Sequence, residues 1–560
     1  MPPTYTQWKA EPIKTEPVYI ITMGGTRFCT KEIAGLSSAA LPYAEVTFST
    51  NHKVKILKAQ AEVGDASFSL IDTNQEVTAF LYAHEKDLSN SLVTIKVGAE
   101  DMAEADFLTT YWFLQDYSLD DATYKWQFEL IDVLKRLDSA CFEDIKKAHL
   151  KLAGLVSHTA TEITLAEAPT GWRTSGFALL NDGKGNVELV SYASIDPLTN
   201  TLQGVVRDKY GVDCGLVFDV EESEVIHVWV KYGTPKQIAL ELATTTEAGG
   251  NGAYDLANGD GAGVVVSSIS TADIEAAFDD TDHGVHDWTL LFIEENAISS
   301  VKEFIETQIF LPCSFTASLT EAGQLTVVKF ESSPSTTNDL EGLFNERGKF
   351  GLKRNFKEKV NALQCDFDFD VAGDKNLTTA NVGIAQSVLR YQKSDVYKIE
   401  ARGFRGAGGV QFGYPDLGGN DHAEVAMIRI AELYGTPPML LKVETALRFR
   451  DIVPGEGIII SHDALPDPTT AGTRGLSSRT VTVISKQIDA TDRNWPVRLD
   501  CEARGNIGRV WHWADDAYPA TYDAASLAQQ AAGAWWANDT TLEPGSDNKL
   551  GYYFGHTEQV

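Results

Sequence analysis

The stretch from His422 to Glu502 constrains the fold most, because it joins one helical pattern to several strand patterns. A helix is predicted over His422 to Tyr434, and the sequence Gly-Thr-Pro-Pro at Gly435 to Pro438 ends it. Alternating apolar and polar residues then predict β-strands with one covered face over four runs: Met439 to Phe449, Ile458 to Ile460, Thr480 to Ile488 and Pro496 to Ala503. A Val-Pro-Gly-Glu-Gly turn, Val453 to Gly457, separates the first two strands.

The length of 560 residues is too great for a single compact core, so we expect several domains. A composition of 43% hydrophobic and 22% charged residues is ordinary for a folded soluble protein. No apolar run is long enough for a transmembrane helix, and no membrane segment is expected. The N-terminal residues lack the basic start and apolar stretch of a signal peptide. We therefore expect the chain to be made in a cytoplasm.

The formal net charge of −32 argues against a surface that grips nucleic acid through its phosphates. Such a charge suits a soluble protein, or an inner wall along which DNA slides without sticking. An acidic proteome or a saline habitat is the other explanation of the charge.

The sequence predicts no catalytic residues, no cofactor and no metal site. Its six cysteines form no CxxC pair and have no histidine at ligand spacing, so neither a zinc site nor a disulfide framework is indicated. Neither a P-loop nor a GxSxG nucleophile elbow is present. We expect no enzyme activity. The main enzymatic alternative is a glycoside hydrolase, since its paired carboxylates come from distant strands and leave no local pattern.

The chain divides into five predicted segments. The first is rich in short strands, among which the prediction includes Val77 to Ala83. The second contains a hairpin about the turn Asn181 to Gly185, whose residues accept positive φ. The third mixes helices with a hairpin about Gly323, and the fourth holds the stretch described first. The predicted boundaries are 1–148, 149–228, 229–340, 341–505 and 506–560.

The strand Cys365 to Asp370 carries an acidic pattern. Strand geometry places Asp366, Asp368 and Asp370 on one face, and two phenylalanines on the other. Three aligned carboxylates are able to bind Ca²⁺ or Mg²⁺. A wet face over a buried phenylalanine face is the simpler interpretation, and it predicts no ion.

The fifth segment is rich in alanine, tryptophan and tyrosine and has no clear period. It contains Trp511, Trp513, Trp535 and Trp536, and so many exposed tryptophans would favour aggregation unless something covers them. We interpret the segment as an arm that docks on a neighbouring chain, with these four residues as assembly candidates. A small folded C-terminal lobe is the alternative.

Two patterns resemble those of the tail-tip or baseplate hub proteins of tailed bacteriophages. One is the order of helix, strand, Pro-Gly-Glu turn, loop and paired strands between His422 and Glu502. The other is a phrase in the second segment, in which a Glu-Leu-Val strand and a polar turn precede Leu-x-Gly-Val-x-Arg-x-x-x-Gly. Its residues are Glu188, Leu189, Val190, Leu202, Gly204, Val205, Arg207 and Gly211.

The resemblance implies a mainly β fold with α+β insertions, in which two tube-type β-barrel modules flank inserted lobes. It implies a homotrimer in the virion that closes the distal end of the tail tube. Such a hub adapts the six-fold tube to a three-fold tip and opens for DNA ejection. The implied partners are the tail tube or distal tail protein above, a fibre, spike or tip protein below, and DNA in passage without tight binding.

Under this interpretation Asp366, Asp368 and Asp370 line the lumen. Two alternatives remain open at this point. One is a β-rich carbohydrate-binding or glycoside-cleaving protein, and the other is a receptor-binding tail fibre. A fibre predicts repeats or coiled-coil heptads, and neither is visible in the sequence.

Overall fold

The structure is a computed structural model, and it describes most of residues 17–142, 148–244 and 261–329 together with shorter ranges beyond them. The described residues are 17–30, 40–42, 44–45, 49–55, 58–62, 64–88, 91–120, 122–142, 148–215, 217–244, 261–281, 283–329, 336–339, 350–360, 362–383, 396–406, 415–435, 437–445, 452–466, 474–489, 497–503, 510–512, 535–537 and 551–554. No helix within these ranges is both long enough and apolar enough to cross a membrane.

The N-terminal part of the chain is mostly β-strand. Its elements are β1 Pro17–Met23, β2 Thr26–Cys29, β3 Ala44–Glu45, β4 Ser49–Lys55, β5 Gln60–Glu62, β6 Asp65–Ile71, α1 Glu76–Leu88, β7 Leu92–Ala99, β8 Leu108–Asp120, β9 Lys125–Ile131 and α2 Val133–Leu137. Seven of the strands form one antiparallel sheet in the order β2-β1-β7-β8-β9-β6-β3. We call this the N-terminal sheet.

The predicted strand from Val77 to Ala83 is wrong, because these residues belong to α1. Val77, Phe80 and Leu81 are buried on the side of the helix that faces the N-terminal sheet, at the i, i+3 and i+4 spacing of a helix. The buried Asp72 accepts hydrogen bonds from the Val77 and Thr78 amides at 2.9 and 3.1 Å. Those bonds satisfy donors that the first turn of a helix leaves open.

The middle of the chain corresponds to the second and third predicted segments. The second, from residue 149 to 228, forms a small β unit, and the third, from residue 229, forms a mixed lobe of helices and strands. Together their elements are β10 His149–Lys151, β11 Glu162–Thr164, β12 Gly176–Asn181, β13 Val187–Tyr192, β14 Ser194–Asp196, β15 Thr201–Gln203, β16 Glu224–Gly233, α3 Pro235–Thr244, α4 Thr271–Phe278, β17 Leu290–Glu294, α5 Val301–Phe304 with a π-helical continuation Ile305–Phe310, β18 Phe315–Leu319 and β19 Leu325–Lys329.

Strand pairing in this region confirms the hairpin predicted about Asn181 to Gly185, which joins β12 to β13. The sheets are β10-β16-β12-β13 with β17 on β16, then β11-β15-β14, and the hairpin β18-β19. The predicted boundary between residues 228 and 229 falls inside β16, which pairs with β12 of the small unit and with β17 of the mixed lobe. One strand therefore joins the two predicted segments.

The C-terminal part contains two larger sheets. Its elements are β20 Thr336–Asp339, β21 Phe350–Arg354, β22 Ala362–Asp370, β23 Lys375–Gly383, β24 Val396–Ala401, α6 Gly419–Tyr434, β25 Met439–Thr445, β26 Gly457–Pro466, β27 Arg474–Asp489, β28 Val497–Ala503, β29 Val510–His512, β30 Trp535–Ala537 and β31 Gly551–Phe554. One sheet has the order β20-β26-β27-β28-β25-β21, and the other has the order β24-β22-β23-β29-β31-β30. We call them the C-terminal sheet and the acidic-strand sheet.

Helix α6 agrees with the prediction for residues 422–434 and begins three residues earlier, at Gly419. Its buried positions recur every three or four residues: Ala423, Ala426, Met427, Ile430, Ala431 and Tyr434. This stripe packs on β22 and β23, which explains why a sequence of modest hydrophobicity forms a helix here.

The N-terminal and C-terminal sheets share one hydrophobic core. Phe68 and Trp112 of the first sheet and Leu441 and Val483 of the second belong to the same buried cluster. Strand β4 lies within the predicted first segment, yet it pairs with β27 of the C-terminal sheet and with β5. The predicted fold class, mainly β with two β modules and inserted lobes, is confirmed. The structure adds that the two modules are joined through both a core and a sheet.

Candidate functional surfaces

The Pro-Gly-Glu turn between β25 and β26 is fixed to the strand behind it. Gly455 adopts a φ of +103° and donates its amide to the Val483 carbonyl at 2.6 Å. Val483 in turn donates its amide to the Glu456 carbonyl at 2.9 Å. The Glu456 side chain accepts a hydrogen bond from the Val453 amide at 2.9 Å. Glycine is required at residue 455 because another residue would be strained at this φ and its side chain would collide with a neighbouring valine.

That neighbour belongs to the β18–β19 hairpin of the mixed lobe. A Cβ on Gly455 would lie 2.6 Å from the Val328 Cβ atom, and the Ser318 hydroxyl donates to the Pro454 carbonyl at 2.6 Å. The tip of the same hairpin reaches β8, since the Tyr111 amide donates to the Ala322 carbonyl at 2.9 Å. The hairpin thus contacts both β modules, and a displacement of the mixed lobe would act on both.

The three predicted acidic residues of β22 do not share one environment. Asp366 is half-buried and accepts hydrogen bonds from Gln364 and Thr379 at 2.8 and 2.7 Å. Burial raises the pKa of Asp366, but these hydrogen bonds and the ammonium group of Lys398, 3.7 Å away, lower it by more. The pKa of Asp366 is therefore below its ordinary value. Asp370 begins the turn to β23 and accepts a hydrogen bond from the Ala372 amide at 3.2 Å, while burial raises its pKa.

The prediction of a single solvent-exposed acidic face is wrong at Asp368, whose side chain is only 3% exposed. Its φ of +57° interrupts the alternation of the strand and turns the carboxylate inward. There it accepts hydrogen bonds from the Gly406 amide at 2.9 Å and the Thr378 hydroxyl at 2.7 Å. Burial raises the pKa of Asp368, and the guanidinium of Arg405 opposes that rise.

Arg405 is fully buried and holds this acidic turn against the mixed lobe. It donates to the Phe369 carbonyl at 2.6 Å and to the Leu291 carbonyl at 3.2 Å. Its positive charge lies near both Asp368 and Asp370. Asp368 therefore serves an internal contact, and Asp370 holds the turn between β22 and β23. Contact of the acidic strand with a tube lumen stays a prediction.

The predicted assembly tryptophans lie in strands that pair within the chain. Trp511, in β29, stands opposite Gly383 of β23 and Tyr553 of β31. Trp535 and Trp536, in β30, stand opposite Tyr553 and Tyr552 of β31. Trp513 lies outside the described residues. The backbone of these strands extends the acidic-strand sheet, which favours the folded alternative for this segment. A role of the four tryptophans in assembly stays a prediction.

The structure shows a polar face on the N-terminal sheet that the sequence analysis did not single out. On β6, β9 and β8 one row across the strands is Ser67, Glu129 and Asp116, and the next is Ser69, Gln127 and Ser118. The opposite face holds the core residues Phe68 and Phe128. The alternation of polar and apolar residues along β6 and β9 was the available signal. At the end of this face Lys125 is paired with Glu45 at 2.6 Å.

The C-terminal sheet also exposes a charged face, on β25, β28 and β27. Lys442 lies 3.4 Å from Asp500, and Arg498 lies 3.4 Å from Glu444. Equal numbers of acidic and basic groups leave these two pairs neutral. In the described part of the two faces, the lysines and arginines named here are each paired with an acidic group and do not form the clustered positive charge that holds nucleic acid phosphates.

One group of residues in the described part of the chain has ligand atoms close enough to hold a metal ion: His158, Glu188 and Asp213. Glu188 is fully buried and makes a two-pronged ion pair with Arg207, whose guanidinium also donates to the Ser157 carbonyl. A guanidinium on the same carboxylate opposes a second cation, so the group fits an ion pair and not a metal centre. This buried pair also explains why the phrase ending in Gly211 contains Glu188 and Arg207.

No protein-family model matches the chain, and no curated protein matches its sequence. Solved structures that resemble it include the 43 kDa tail protein of prophage MuSo2 from Shewanella oneidensis, at 7% identity and a TM-score of 0.36, covering 86% of this chain and 98% of that one. A tail protein from Neisseria meningitidis MC58 has 9% identity, a TM-score of 0.36 and coverages of 87% and 96%. Prophage tail protein gp18 from Listeria monocytogenes EGD-e has 8% identity, a TM-score of 0.33 and coverages of 87% and 94%. Scores of this size mark a partial superposition, so no residue of this chain takes a role from these structures.

Proposed function

We propose that the chain is a structural protein of a phage-type tail, and that within the tail it is the tip or baseplate hub. Three copies close the distal end of the tail tube, with the tube or distal tail protein above and a fibre, spike or tip protein below. The hub has no catalytic role and no cofactor. It resides in the virion after synthesis in the host cytoplasm.

The observation that carries this proposal is the recurrence of one element order in both β modules. In the first, α1 is followed by the strand β7 and the long hairpin β8–β9. In the second, α6 is followed by the strand β25 and the long hairpin β26–β27. Because both modules belong to one chain, three copies supply six similar modules. Head-to-tail contacts between them close a ring that matches six-fold symmetry on one side and three-fold symmetry on the other.

The charges on the two open sheet faces support passage of DNA through such a ring. The face on β6, β9 and β8 is acidic and otherwise small and polar, and that on β25, β28 and β27 is balanced. On either face the lysines and arginines named here are paired with acidic groups, which would weaken their hold on the DNA phosphates. These faces are better candidates for a lumen than the inward-turned Asp368.

The β18–β19 hairpin supports a mechanical route to opening. It bonds to β8 through Ala322 and to the Pro-Gly-Glu turn through Ser318. A partner that displaces the mixed lobe would therefore shift the position of one module relative to the other. We propose this as the step by which engagement of the tip opens the channel for DNA ejection.

The experiment is light scattering of the purified chain together with negative-stain electron microscopy of the same fraction. The hub predicts three copies and rings with a central channel. A monomer that binds or cleaves polysaccharide would instead favour the carbohydrate-active alternative, and an elongated trimer without a channel would favour a tail fibre.

A charge-reversal variant tests the channel face itself. Asp116→Lys with Glu129→Lys should preserve the mass of the ring but make it retain DNA in a gel-shift assay. Asp287→Lys, at a strongly exposed position in the mixed lobe, is the control with the same type of change. Equal DNA retention by this control would exclude the face on β8 and β9 as the lumen.

A further inference from the structure

A cleft of about 270 Å³ lies where the end of β17, the helical segment 301–310 and the end of β24 meet. Three carboxylates, those of Glu294, Glu303 and Glu400, line it together with one guanidinium, that of Arg402. The ionised groups of the cleft therefore carry two net negative charges. This excess gives the cleft a preference for a positively charged ligand.

Glu294 is only 4% exposed, and only one of its two carboxylate oxygens accepts a hydrogen bond from the described residues. One of its carboxylate oxygens, Oε2, accepts a hydrogen bond from Arg402 at 2.9 Å. The other, Oε1, accepts none from any residue that the structure describes. A buried carboxylate oxygen without a donor is costly, and the cost is removed when a ligand supplies one. Burial also raises the pKa of Glu294, although the guanidinium groups of Arg402 and Arg405 act in the opposite direction.

The side of the cleft opposite β24 is formed by the helical segment 301–310, part of which is a π-helix. Residues Ile305–Phe310 form a π-helix, a rare conformation that is often found at functional sites. This segment places Thr307 and Gln308 on the cleft. The Gln308 side chain accepts a hydrogen bond from the Arg402 amide at 3.1 Å, which fixes the wall to the end of β24.

The geometry disfavours a metal ion and a sugar as the ligand. The carboxylates of the cleft are not among the described groups whose ligand atoms lie within 4.8 Å of one another. Trp229, which lines the cleft, stacks on Phe142 with ring centres 4.3 Å apart and meets Phe304 edge-on at 5.8 Å. Its ring is thus already covered and offers little surface for a sugar. The volume is slightly below the range of about 300–1,000 Å³ for small-molecule sites and suits one long side chain.

We propose that this cleft binds the guanidinium or ammonium group of an arginine or lysine side chain from a neighbouring protein chain. The group pairs with the Glu294 carboxylate, which rotates to bring the buried Oε1 to the cleft, and Glu303 and Glu400 attract the group at the rim. Charge complementarity identifies this occupant, because an acidic cleft without a free aromatic face selects a cation that can also donate hydrogen bonds. The inference does not depend on the proposed role in a tail.

The test is the binding of Nα-acetylarginine amide to the full chain, followed by saturation-transfer NMR. Nα-acetylcitrulline amide is the neutral probe of the same shape. The arginine compound should bind about tenfold more tightly than the citrulline compound, a difference of about 1.4 kcal/mol. Glu294→Gln should remove most of that preference, whereas Glu221→Gln, at an exposed position outside the cleft, should leave it unchanged.

A third variant gives an effect of the opposite sign. Arg402→Gln frees the second oxygen of Glu294 for the ligand, so affinity for the arginine compound should rise severalfold. A purely structural role of Glu294 and Arg402 would lower binding in both variants. Should Glu294→Gln fail to fold, Glu400→Gln at the rim replaces it, and a several-fold loss is expected.

Three results would overturn the proposal. The first is equal binding of the arginine and citrulline compounds. The second is unchanged affinity in both Glu294→Gln and Glu400→Gln. The third is displacement of the arginine compound by an oligomer of N-acetylglucosamine, which would assign the cleft to a glycan.

Discussion

Replacement of Gly455 by alanine tests how the mixed lobe is joined to the C-terminal sheet. Alanine at a φ of +103° costs about 1–3 kcal/mol in backbone strain. Its Cβ would also lie 2.6 Å from the Val328 Cβ atom, and overpacking of that kind costs a further 1–3 kcal/mol or so. We therefore expect a local loss of about 2–6 kcal/mol in the free energy that holds the turn closed.

Gly475→Ala is the matched control. Gly475 has a similar φ of +107°, and no atom of the described residues lies within 4 Å of a Cβ built there. This variant carries the backbone strain without the collision, so it should cost only about 1–3 kcal/mol, the cost of that strain. The difference between the two variants isolates the contact with Val328.

Hydrogen exchange followed by mass spectrometry provides a local measurement. The Gly455 and Val483 amides, bonded to carbonyls at 2.6 and 2.9 Å, should exchange faster in Gly455→Ala but not in Gly475→Ala. Adding Val328→Gly should restore part of the protection, because it removes the Cβ atom and both methyl groups with which the new Cβ collides. Equal exchange in both glycine variants, or no recovery in the double variant, would refute this account of the turn.

Three further outcomes concern charged groups, two of them buried and one an exposed control. Glu188→Gln should destabilise the small β unit by about 3–5 kcal/mol, since it leaves the guanidinium of Arg207 without its charge partner, and limited proteolysis of that unit reports the change. Glu222→Gln, which breaks the exposed pair with Lys184, should change stability by less than about 0.5 kcal/mol in the same assay. Burial raises the pKa of Asp132 to about 7, above its ordinary value of 3.8, so the folded state binds a proton more tightly than the unfolded state. The free energy of unfolding should therefore fall as pH rises from about 4 to about 7, and Asp132→Asn should remove that part of the dependence in denaturant titrations.

Much of the β architecture was predictable from local pattern alone. The hairpin at Asn181 to Gly185 is specified by residues that accept positive φ, and α6 by an apolar repeat with a proline stop. Val77 to Ala83 was mistaken for a strand because a short apolar run fits both periods. Only the buried Asp72, whose carboxylate accepts the first-turn amides, distinguishes the helix.

The candidate sites depended on information that a local pattern does not contain. The inward turn of Asp368 follows from one positive φ and from Gly406, a donor far away in sequence. Glu294 carried no recognisable motif, since the residue that pairs with it, Arg402, is far away in sequence and directly follows β24. The face on β6, β9 and β8 was visible as alternation, but its acidic character emerges only when Asp116 and Glu129 are aligned by the register.

The pairing of β4 with β27 has a consequence for how the protein is made. Lys53 and Ser485 stand opposite each other, so a strand that leaves the ribosome early must wait for one that is translated near the end. Closing so long a loop is slow, and the exposed edge of β4 is open to wrong partners in the meantime. The first module should therefore not reach its final form when expressed alone, and the last folding step of the chain should be the one that fixes the angle between its two modules.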